Sequence, residues 1–182
     1  GLEEYLHSYI SVLPYNELGA AAAAYNADEK ELCRLDEIYS AAKTPFEIRS
    51  GSEKVTRRFF KICNNGRESF TGLYKSLTEQ GICKGHQCIA YGLYMRDNGI
   101  ELSEGLAVYG YSICSAIVTN CVKLVPLSQL AGQKILGKSF ELISSASEKA
   151  LFTDINDIGI SGAGFDLRAM QHERLYSRQY MS

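Results

Sequence analysis

The most constraining feature of this sequence is an uncharged run of eighteen residues, Gly105–Val122. Its apolar residues recur at helical spacing in two stripes about half a turn apart, so the pattern predicts a helix that is apolar all round. Such a helix should be surrounded by other parts of the protein. Asn120 falls in the first stripe, and we expect its amide to find hydrogen-bond partners in the core or at an interface. Pro126 ends the helix.

A membrane-spanning helix is the alternative explanation of this run, because eighteen residues reach the lower limit for crossing a bilayer. Several residues argue against a span: Ser112, Ser115, Thr119, Asn120, two glycines and two tyrosines. They lower the hydrophobicity of the run below that of a typical spanning helix. We therefore predict a core helix of a protein that has no membrane partner.

Helical spacing and helix-end signals recur along the rest of the chain. Asp28 is placed to cap a helix that runs to about Ala42. The triplet Ser50-Gly51-Ser52 predicts a break before a helix at Glu53–Cys63, and a further helix is expected over 128–151. No segment alternates with period two or carries a hairpin signal. The sequence therefore predicts an all-α fold, a single-domain helical bundle of about seven to nine helices with a C-terminal tail.

The predicted helix at Glu53–Cys63 is amphipathic and has a basic face. Val55, Phe59 and Ile62 share one side. Four cations gather on the other side: Lys54, Arg57, Arg58 and Lys61. Such a face is typical of a solvated helix surface, and its alternative role is to contact an acidic protein surface. Nucleic acid is not indicated, because no aromatic residues are interleaved with the cations.

Charge and cysteine content exclude several classes of protein. The formal net charge of −2 gives no overall attraction to nucleic acid or to an anionic membrane. The six cysteines are scattered through apolar segments rather than paired in CxxC motifs, which is typical of reduced thiols. We therefore expect a cytoplasmic protein with no nucleic-acid partner.

Candidate catalytic and metal-ligating residues are few. The chain has three histidines, His7, His86 and His172, and none stands in a recognisable catalytic motif. Cys83, His86 and Cys88 offer soft ligands for nickel or zinc, but a closed site needs about four ligands. The sequence therefore predicts no catalytic residue, no cofactor and no resident metal site. A metallochaperone that binds nickel through these three residues is the alternative.

A glycine-rich stretch at 157–164 separates the predicted bundle from the tail. No Lys-Ser or Lys-Thr pair follows its glycines and no strand precedes them, so it predicts a flexible hinge rather than a phosphate loop. If Phe165–Met181 is helical, its apolar residues fall on two sides. Such a segment is typical of an element that folds on binding, and a loosely packed terminal helix is the alternative. We assign 1–157 to the bundle core and 158–182 to the hinge and a partner-binding tail.

Strings of residues in Gly81–Ser182 resemble, in order and spacing, the urease accessory protein F family. They are Ala90-Tyr-Gly, Gly99-Ile, Asn120-Cys-Val-Lys, Val125-Pro-Leu-Ser-Gln, Gly132-Gln-Lys, Met170-Gln-His-Glu and Leu175-Tyr-Ser-Arg. The N-terminal half matches more loosely, through Tyr15-Asn-Glu-Leu18 and Glu47–Arg58. The family's usual Gly/Ser/His-containing opening is missing, which indicates a truncated start.

The resemblance implies a non-catalytic all-α scaffold that assists the insertion of nickel into apo-urease. A family member of this kind dimerises and binds the D-type accessory protein, also called H-type. Together they recruit the nickel-carrying G-type GTPase to apo-urease, and the scaffold regulates that GTPase. Nickel is cargo of the assembled complex, so the resemblance implies no tight metal site on this chain.

The resemblance also implies roles for particular residues. Tyr111 matches a position at the dimer contact, and Lys123 matches a lysine that contacts the GTPase. The tail of the family orders against the D-type partner, and the corresponding residues here are Met170, His172, Glu173, Tyr176, Ser177 and Arg178. Arg178 matches an arginine linked to assembly. We therefore expect a homodimer with separate contacts for the two accessory proteins.

Overall fold

The computed structural model describes residues 1–63, 66, 69–160 and 162–176. All regular structure in these ranges is helical, and the predicted all-α bundle is confirmed. The α-helices are α1 Leu2–Val12, α2 Glu17–Asn26, α3 Glu29–Ala42, α4 Phe46–Ile62, α5 Phe70–Glu79, α6 Gln87–Asp97, α7 Leu102–Leu124, α8 Gln129–Lys138, α9 Phe140–Ala150 and α10 Ala163–His172. Short 3-10 turns lie at Leu13–Tyr15 and Ile155–Asp157. Nine of the α-helices in the described ranges thus precede the tail, and α10 lies within it.

The centre of the bundle is the packing of α2 against α6. Helix α2 is rich in alanine, and most of its residues are buried. A β-carbon at Gly92 of α6 would lie 2.2 Å from the carbonyl oxygen of Ala21. Helices α3, α7 and α9 also contact α2. Small residues therefore let the two central backbones approach closely, and a larger side chain at Gly92 would force them apart.

Helix α3 begins as the sequence predicts. The Asp28 carboxylate accepts a hydrogen bond from the Glu31 amide at 2.8 Å, and the Glu31 carboxylate accepts one from the Asp28 amide at 3.0 Å. This reciprocal capping box satisfies two amides at the helix start. The helix then ends at Ala42, as expected.

Helix α4 does not break at the Ser50-Gly51-Ser52 triplet, so that prediction is wrong. The helix begins at Phe46 and continues through the triplet. Packing compensates for the low helix propensity of serine and glycine. The Ser52 hydroxyl accepts a hydrogen bond from the Gln87 amide of α6 at 3.2 Å. The contact with α6 thus holds the triplet in the helix.

The buried side of α4 also differs from the prediction. Thr56 and Phe60 are buried, at one-turn spacing from Ser52. Val55 and Ile62, which the pattern places inside, are 40% and 82% exposed. Helix α6 contacts α4 through Gln87 on Ser52 and Tyr94 on Phe59, and Phe60 packs on Tyr74 of α5. These neighbours rather than the apolar periodicity decide which side is covered.

The single helix predicted over 128–151 is two helices, α8 and α9, which meet at Ser139. Ser139 is fully buried, and its hydroxyl donates a hydrogen bond to the Ile135 carbonyl at 3.0 Å. Side-chain bonding of this kind competes with the helical ladder. The break lets α8 pack on α7 while α9 turns to contact α1, α2 and α7.

Helix α7 is covered on one side only, so the prediction of a helix surrounded by protein is wrong. Gly105, Leu106, Tyr109, Gly110, Cys114 and Val118 are buried. Val108, Tyr111 and Asn120 are exposed, so Asn120 does not lie in the core of this chain, and its expected place at an interface stays a prediction. By length and composition α7 could cross a membrane, a test that core helices of globular proteins also pass. Its contacts with α1, α2, α8 and α9 account for its buried side.

Candidate partner-binding surfaces

Tyr111 lies on an exposed apolar surface formed by α7 and α9, which we call the Tyr111 face. Its ring meets that of Phe140 edge to face, with 5.7 Å between the ring centroids. Val108 precedes Tyr111 by three residues and therefore lies beside it on the same helix face. Val108, Tyr111 and Phe140 are 61%, 40% and 54% exposed. Contiguous exposed apolar side chains of this kind make the Tyr111 face a candidate contact surface.

Lys123 lies in the last turn of α7. The side chain is exposed, and it forms no ion pair with a carboxylate in the described ranges. A cation is favourable at this position because the last carbonyls of a helix carry partial negative charge. Leu124 and Val125 beside it are each 49% exposed. We call Lys123, Leu124 and Val125 the Lys123 corner.

One aromatic residue of the tail helix α10 packs on α1. The Phe165 ring packs edge to face on Tyr5 and Tyr9 of α1, with ring centroids 5.4 and 5.5 Å apart. No residue of α10 is fully buried, and Leu167 remains 60% exposed. The tail is therefore ordered against the bundle by a small contact.

A polar contact joins the C-terminal end of α10 to α4. His172 Nδ1 lies 2.7 Å from Glu47 Oε2, and the Glu47 amide donates to Glu173 Oε1 at 3.4 Å. The His172 and Glu47 side chains are 48% and 30% exposed. Among the other tail residues singled out by the sequence, Met170 is half-buried and Tyr176 is fully exposed. Ser177 and Arg178 lie outside the described residues.

A cavity of about 270 Å³ lies between α10 and the bundle. Its walls are mostly apolar and include Tyr5, Tyr9, Val12, Ile48, Phe165 and Ala169. Glu17 and Lys43 also line it and form an ion pair at 2.8 Å. The pKa of the Tyr9 hydroxyl is held well above its usual value, mainly by the Glu17 carboxylate and secondly by burial. Phe165 thus covers a recess that it does not fill.

The first part of the predicted hinge is anchored rather than free. The Gly159 amide donates to the Tyr15 carbonyl at 2.7 Å, and Ile158 is buried. Gly159 has φ of +100°, and a β-carbon there would lie 2.3 Å from Cβ of Ala42. Only glycine adopts this conformation so close to α3 without strain. Any freedom of the tail therefore begins after Gly159.

Cys83, His86 and Cys88 do not form a metal site. In the described part of the chain, no group of three or more His, Cys, Asp or Glu side chains is arranged to hold a metal ion. All three residues are buried, and burial raises the pKa of the Cys88 thiol to about 12. The geometry thus argues against direct nickel binding through these residues.

His86 belongs instead to a buried polar group, which we call the Asp36 cluster. The Asp36 carboxylate accepts hydrogen bonds from the Tyr74 hydroxyl at 2.5 Å and from the Lys84 and Gly85 amides at 2.7 and 3.1 Å. The Tyr74 hydroxyl accepts one from the His86 amide at 2.8 Å. Burial lowers the pKa of the His86 imidazole. The cluster ties the segment after α5 to α3.

Sequence reasoning missed the aromatic partners of the candidate surfaces. Phe140 was hidden because the break at Ser139 was not predicted. Phe165 lies in the predicted tail, and its contact with α1 was not predicted, although Tyr5 and Tyr9 are four residues apart on one face of that helix. That pair of tyrosines was the available signal for an aromatic contact.

The fold and these surfaces define an all-α bundle whose candidate sites are exposed helix faces. The sequence model of the UreF family matches residues 1–139. The urease accessory protein UreF of Actinobacillus pleuropneumoniae serotype 5b is 32% identical over 187 residues, covering 100% of this chain and 82% of the relative. That of a Streptococcus thermophilus strain is 27% identical over 188 residues, covering 100% and 79%.

A third relative, the urease accessory protein UreF of an Arthrobacter species, is 32% identical over 152 residues, covering 81% of this chain and 66% of its own length. This chain belongs to the UreF family of urease accessory proteins. The resemblance drawn from its sequence is therefore confirmed.

Proposed function

We propose that this protein is a cytoplasmic, non-catalytic scaffold for the insertion of nickel into apo-urease. It acts as a homodimer, binds the D/H-type accessory protein and recruits and regulates the G-type GTPase. The observation that carries the proposal is the tail: α10 buries none of its residues fully, while Leu167, Leu175 and Tyr176 are 60%, 52% and 107% exposed. An ordered but weakly held helix can exchange its small contact with the bundle for a larger one with a partner.

The three surfaces receive separate roles in this proposal. The apolar Tyr111 face joins two copies of the chain. The Lys123 corner meets the GTPase, with a cation for electrostatic steering and two apolar side chains for burial. The tail from Met170 to Arg178 binds the D/H-type protein, through Met170, His172, Glu173, Tyr176, Ser177 and Arg178. Nickel is cargo of the assembly and needs no ligands on this chain.

Deletion of Phe165–Ser182 tests the assignment of the tail. We expect the truncated chain to remain helical and folded, because the core residues of the bundle lie before the tail. Size-exclusion chromatography should show that it no longer co-elutes with the D/H-type protein. Co-elution of the truncated chain with that partner would contradict the assignment.

Substitution of Lys123 tests the second assignment. Lys123→Ala should leave folding intact, because the side chain is exposed, and should weaken capture of the GTPase in a pull-down that contains all three accessory proteins. Lys134→Ala, another exposed lysine, is the matched control. Reconstituted activation of apo-urease should fall with the first variant and not with the second. Equal recruitment by both variants would argue against a role for Lys123.

A further inference from the structure

A second concave surface lies away from the three regions assigned above, between α4 and α5. A cavity of about 420 Å³ is lined by three residues of each helix: Arg57, Phe60 and Lys61 of α4 and Lys75, Thr78 and Glu79 of α5. We call it the α4–α5 groove. Each triplet has helical spacing that brings its members to one side of the helix. The groove therefore has two continuous helical walls.

The charges around the groove are mostly positive and only partly neutralised. Arg57 pairs with Glu53 at 3.7 Å and Lys75 with Glu79 at 4.0 Å, and both pairs are solvated. Lys61 is exposed and forms no ion pair within the described ranges. The same holds for two more cations of the same helix, Lys54 and Arg58. In a chain with a net charge of −2, helix α4 thus carries three cations without an ion pair in the described ranges, and Lys61 is the one that lines the groove.

The floor of the groove is apolar. Phe60 lies at its base, is 7% exposed and packs its ring on Tyr74 with 6.0 Å between centroids. The methylene stems of the long cations on both walls add further apolar surface. A ligand that fits this surface needs negative charge at its edges and an apolar group at its centre.

We propose that the α4–α5 groove binds an acidic segment of a partner protein, in which an apolar side chain lies between carboxylates. The apolar side chain enters the cavity above Phe60, and the carboxylates meet Lys61 and the neighbouring cations. Direct contact of a carboxylate with a cation that has no partner requires no existing ion pair to break. The proposal is independent of the dimer, GTPase and tail assignments, because none of their residues lines this groove.

Two other polyanions fit the surface less well. A nucleic-acid strand would bring a row of phosphates past the Glu79 carboxylate and would find no exposed ring for base stacking, because Phe60 is buried. A lipid bilayer presents a flat surface and cannot follow a concave groove between two helices. A protein segment can project a single side chain into the cavity and place its charges on the rim.

The test uses the full chain and a fluorescein-labelled peptide of alternating glutamate and leucine, followed by fluorescence anisotropy. We expect binding that weakens as salt rises from about 50 to about 300 mM, because the contacting charges are solvated. Two matched peptides, one with glutamine for glutamate and one with glycine for leucine, should each bind on the order of ten times more weakly. Failure of the alternating peptide to bind would overturn the proposal.

Variants of the protein locate the binding. Lys61→Glu should raise the Kd for the alternating peptide by roughly tenfold, and Lys61→Gln should raise it by less, because the first adds repulsion to the lost attraction. Lys134→Glu makes the same charge change on α8, which packs against α7 and α9. It should leave the Kd for the alternating peptide unchanged. Circular dichroism should show that all three variants remain folded. An equal loss in Lys61→Glu and Lys134→Glu would show a general charge effect and overturn the groove assignment.

Fluorescence anisotropy also distinguishes an acidic protein segment from the two other polyanions. A single-stranded thymidine oligonucleotide and vesicles containing phosphatidylserine should bind more weakly than the alternating peptide at equal salt. Tighter binding of either probe, lost in Lys61→Glu, would replace the acidic protein segment with that class of partner and overturn the proposal.

Discussion

The Asp36 cluster and the tail contact are built from similar groups and differ in their exposure to water. Each combines a carboxylate, a histidine and an aromatic ring. Asp36, Tyr74 and His86 are at most 2% exposed. In the tail contact, by comparison, the His172 and Glu47 side chains are 48% and 30% exposed. The two regions therefore place a hydrogen-bonded carboxylate in a dry and in a wet environment, although His86 joins its cluster through its backbone amide and His172 meets Glu47 through its ring.

The difference teaches why one region is part of the fold and the other can be released. Inside the protein, an unpaired polar group loses its hydrogen bonds without replacement, so the Asp36 cluster must stay complete. At the surface, water replaces each lost hydrogen bond and screens the charges, so the tail contact is worth little. A partner that offers more contact area to α10 can thus displace it, whereas the Asp36 cluster can open only if the fold opens with it.

The largest expected effect comes from removing the carboxylate of the cluster. Asp36→Ala leaves the Tyr74 hydroxyl and two backbone amides without their acceptor, and it should lower the free energy of unfolding by about 3–5 kcal/mol in urea denaturation. Asp36→Asn keeps one acceptor oxygen and should cost less. Glu47→Ala, which removes the α4 carboxylate that His172 of the tail contacts, should lower the free energy of unfolding by less than about 1 kcal/mol. Similar losses for Asp36→Ala and Glu47→Ala would erase the distinction between the regions.

Two phenylalanines compare the apolar parts of the same regions. Phe60 packs on Tyr74 and is 7% exposed. Phe60→Ala should therefore lower the free energy of unfolding by about 3 kcal/mol or more. Phe165 lies over a cavity on Tyr5 and Tyr9, so Phe165→Ala should cost about 1 kcal/mol. Chemical denaturation of both variants gives the comparison directly. A loss for Phe165→Ala as large as that for Phe60→Ala would show that the tail is part of the core.

The pH dependence of stability sharpens the role of His86. Burial holds its pKa below the usual value of 6.5, so the unfolded chain binds the proton more readily than the folded one. The stabilisation of the folded protein by neutral His86 is fully present above about pH 6.5 and is lost as the pH falls towards the folded-state pKa. Over this range the free energy of unfolding falls by at most about 1.4 kcal/mol per pH unit. Urea denaturation between about pH 7.5 and pH 5 should therefore show a smaller decline for His86→Gln than for the wild type. An unchanged decline would assign the acid sensitivity to other groups.

The smallest expected effect concerns the exposed contact of the tail. His172→Ala should lower global stability by about 0.5 kcal/mol or less, because the pair with Glu47 is solvated. Hydrogen exchange should nevertheless become faster in α10 and stay unchanged in α3 and α6, since only the local contact is lost. The exposed Arg168, on the same helix, provides a control as Arg168→Ala. Faster exchange throughout the bundle would mean that the tail and core unfold together.

Local signals in the sequence predicted what depends on local contacts. The start of α3 follows from Asp28 and Glu31, because a capping box joins residues that are three positions apart. The end of α7 just before Pro126 is also a local effect, because proline cannot continue the helix. The all-α class also followed, since it requires only the period of the apolar residues and the absence of an alternating pattern.

The errors at α4 and α7 lie where distant segments meet. Whether the chain stays helical through the triplet at 50–52 is decided by Gln87 of α6, and which side of α7 is covered depends on which helices pack around it. The Asp36 cluster joins residues 36, 74 and 86, and nothing in the local sequence of any one of them indicates the other two. The resemblance identified Tyr111, Lys123 and the tail, but only the fold gave Tyr111 and α10 their aromatic neighbours.

The anchored Gly159 determines how far the tail can reach. Its hydrogen bond to Tyr15 and its close approach to Ala42 attach the chain to one point on the bundle, four residues before α10 begins at Ala163. Four extended residues span at most about 14 Å. A partner protein that displaces α10 from the bundle therefore stays close to α1 and α3, because α10 remains attached there by a short segment. The effective concentration of that partner for a second contact with this part of the bundle is consequently high.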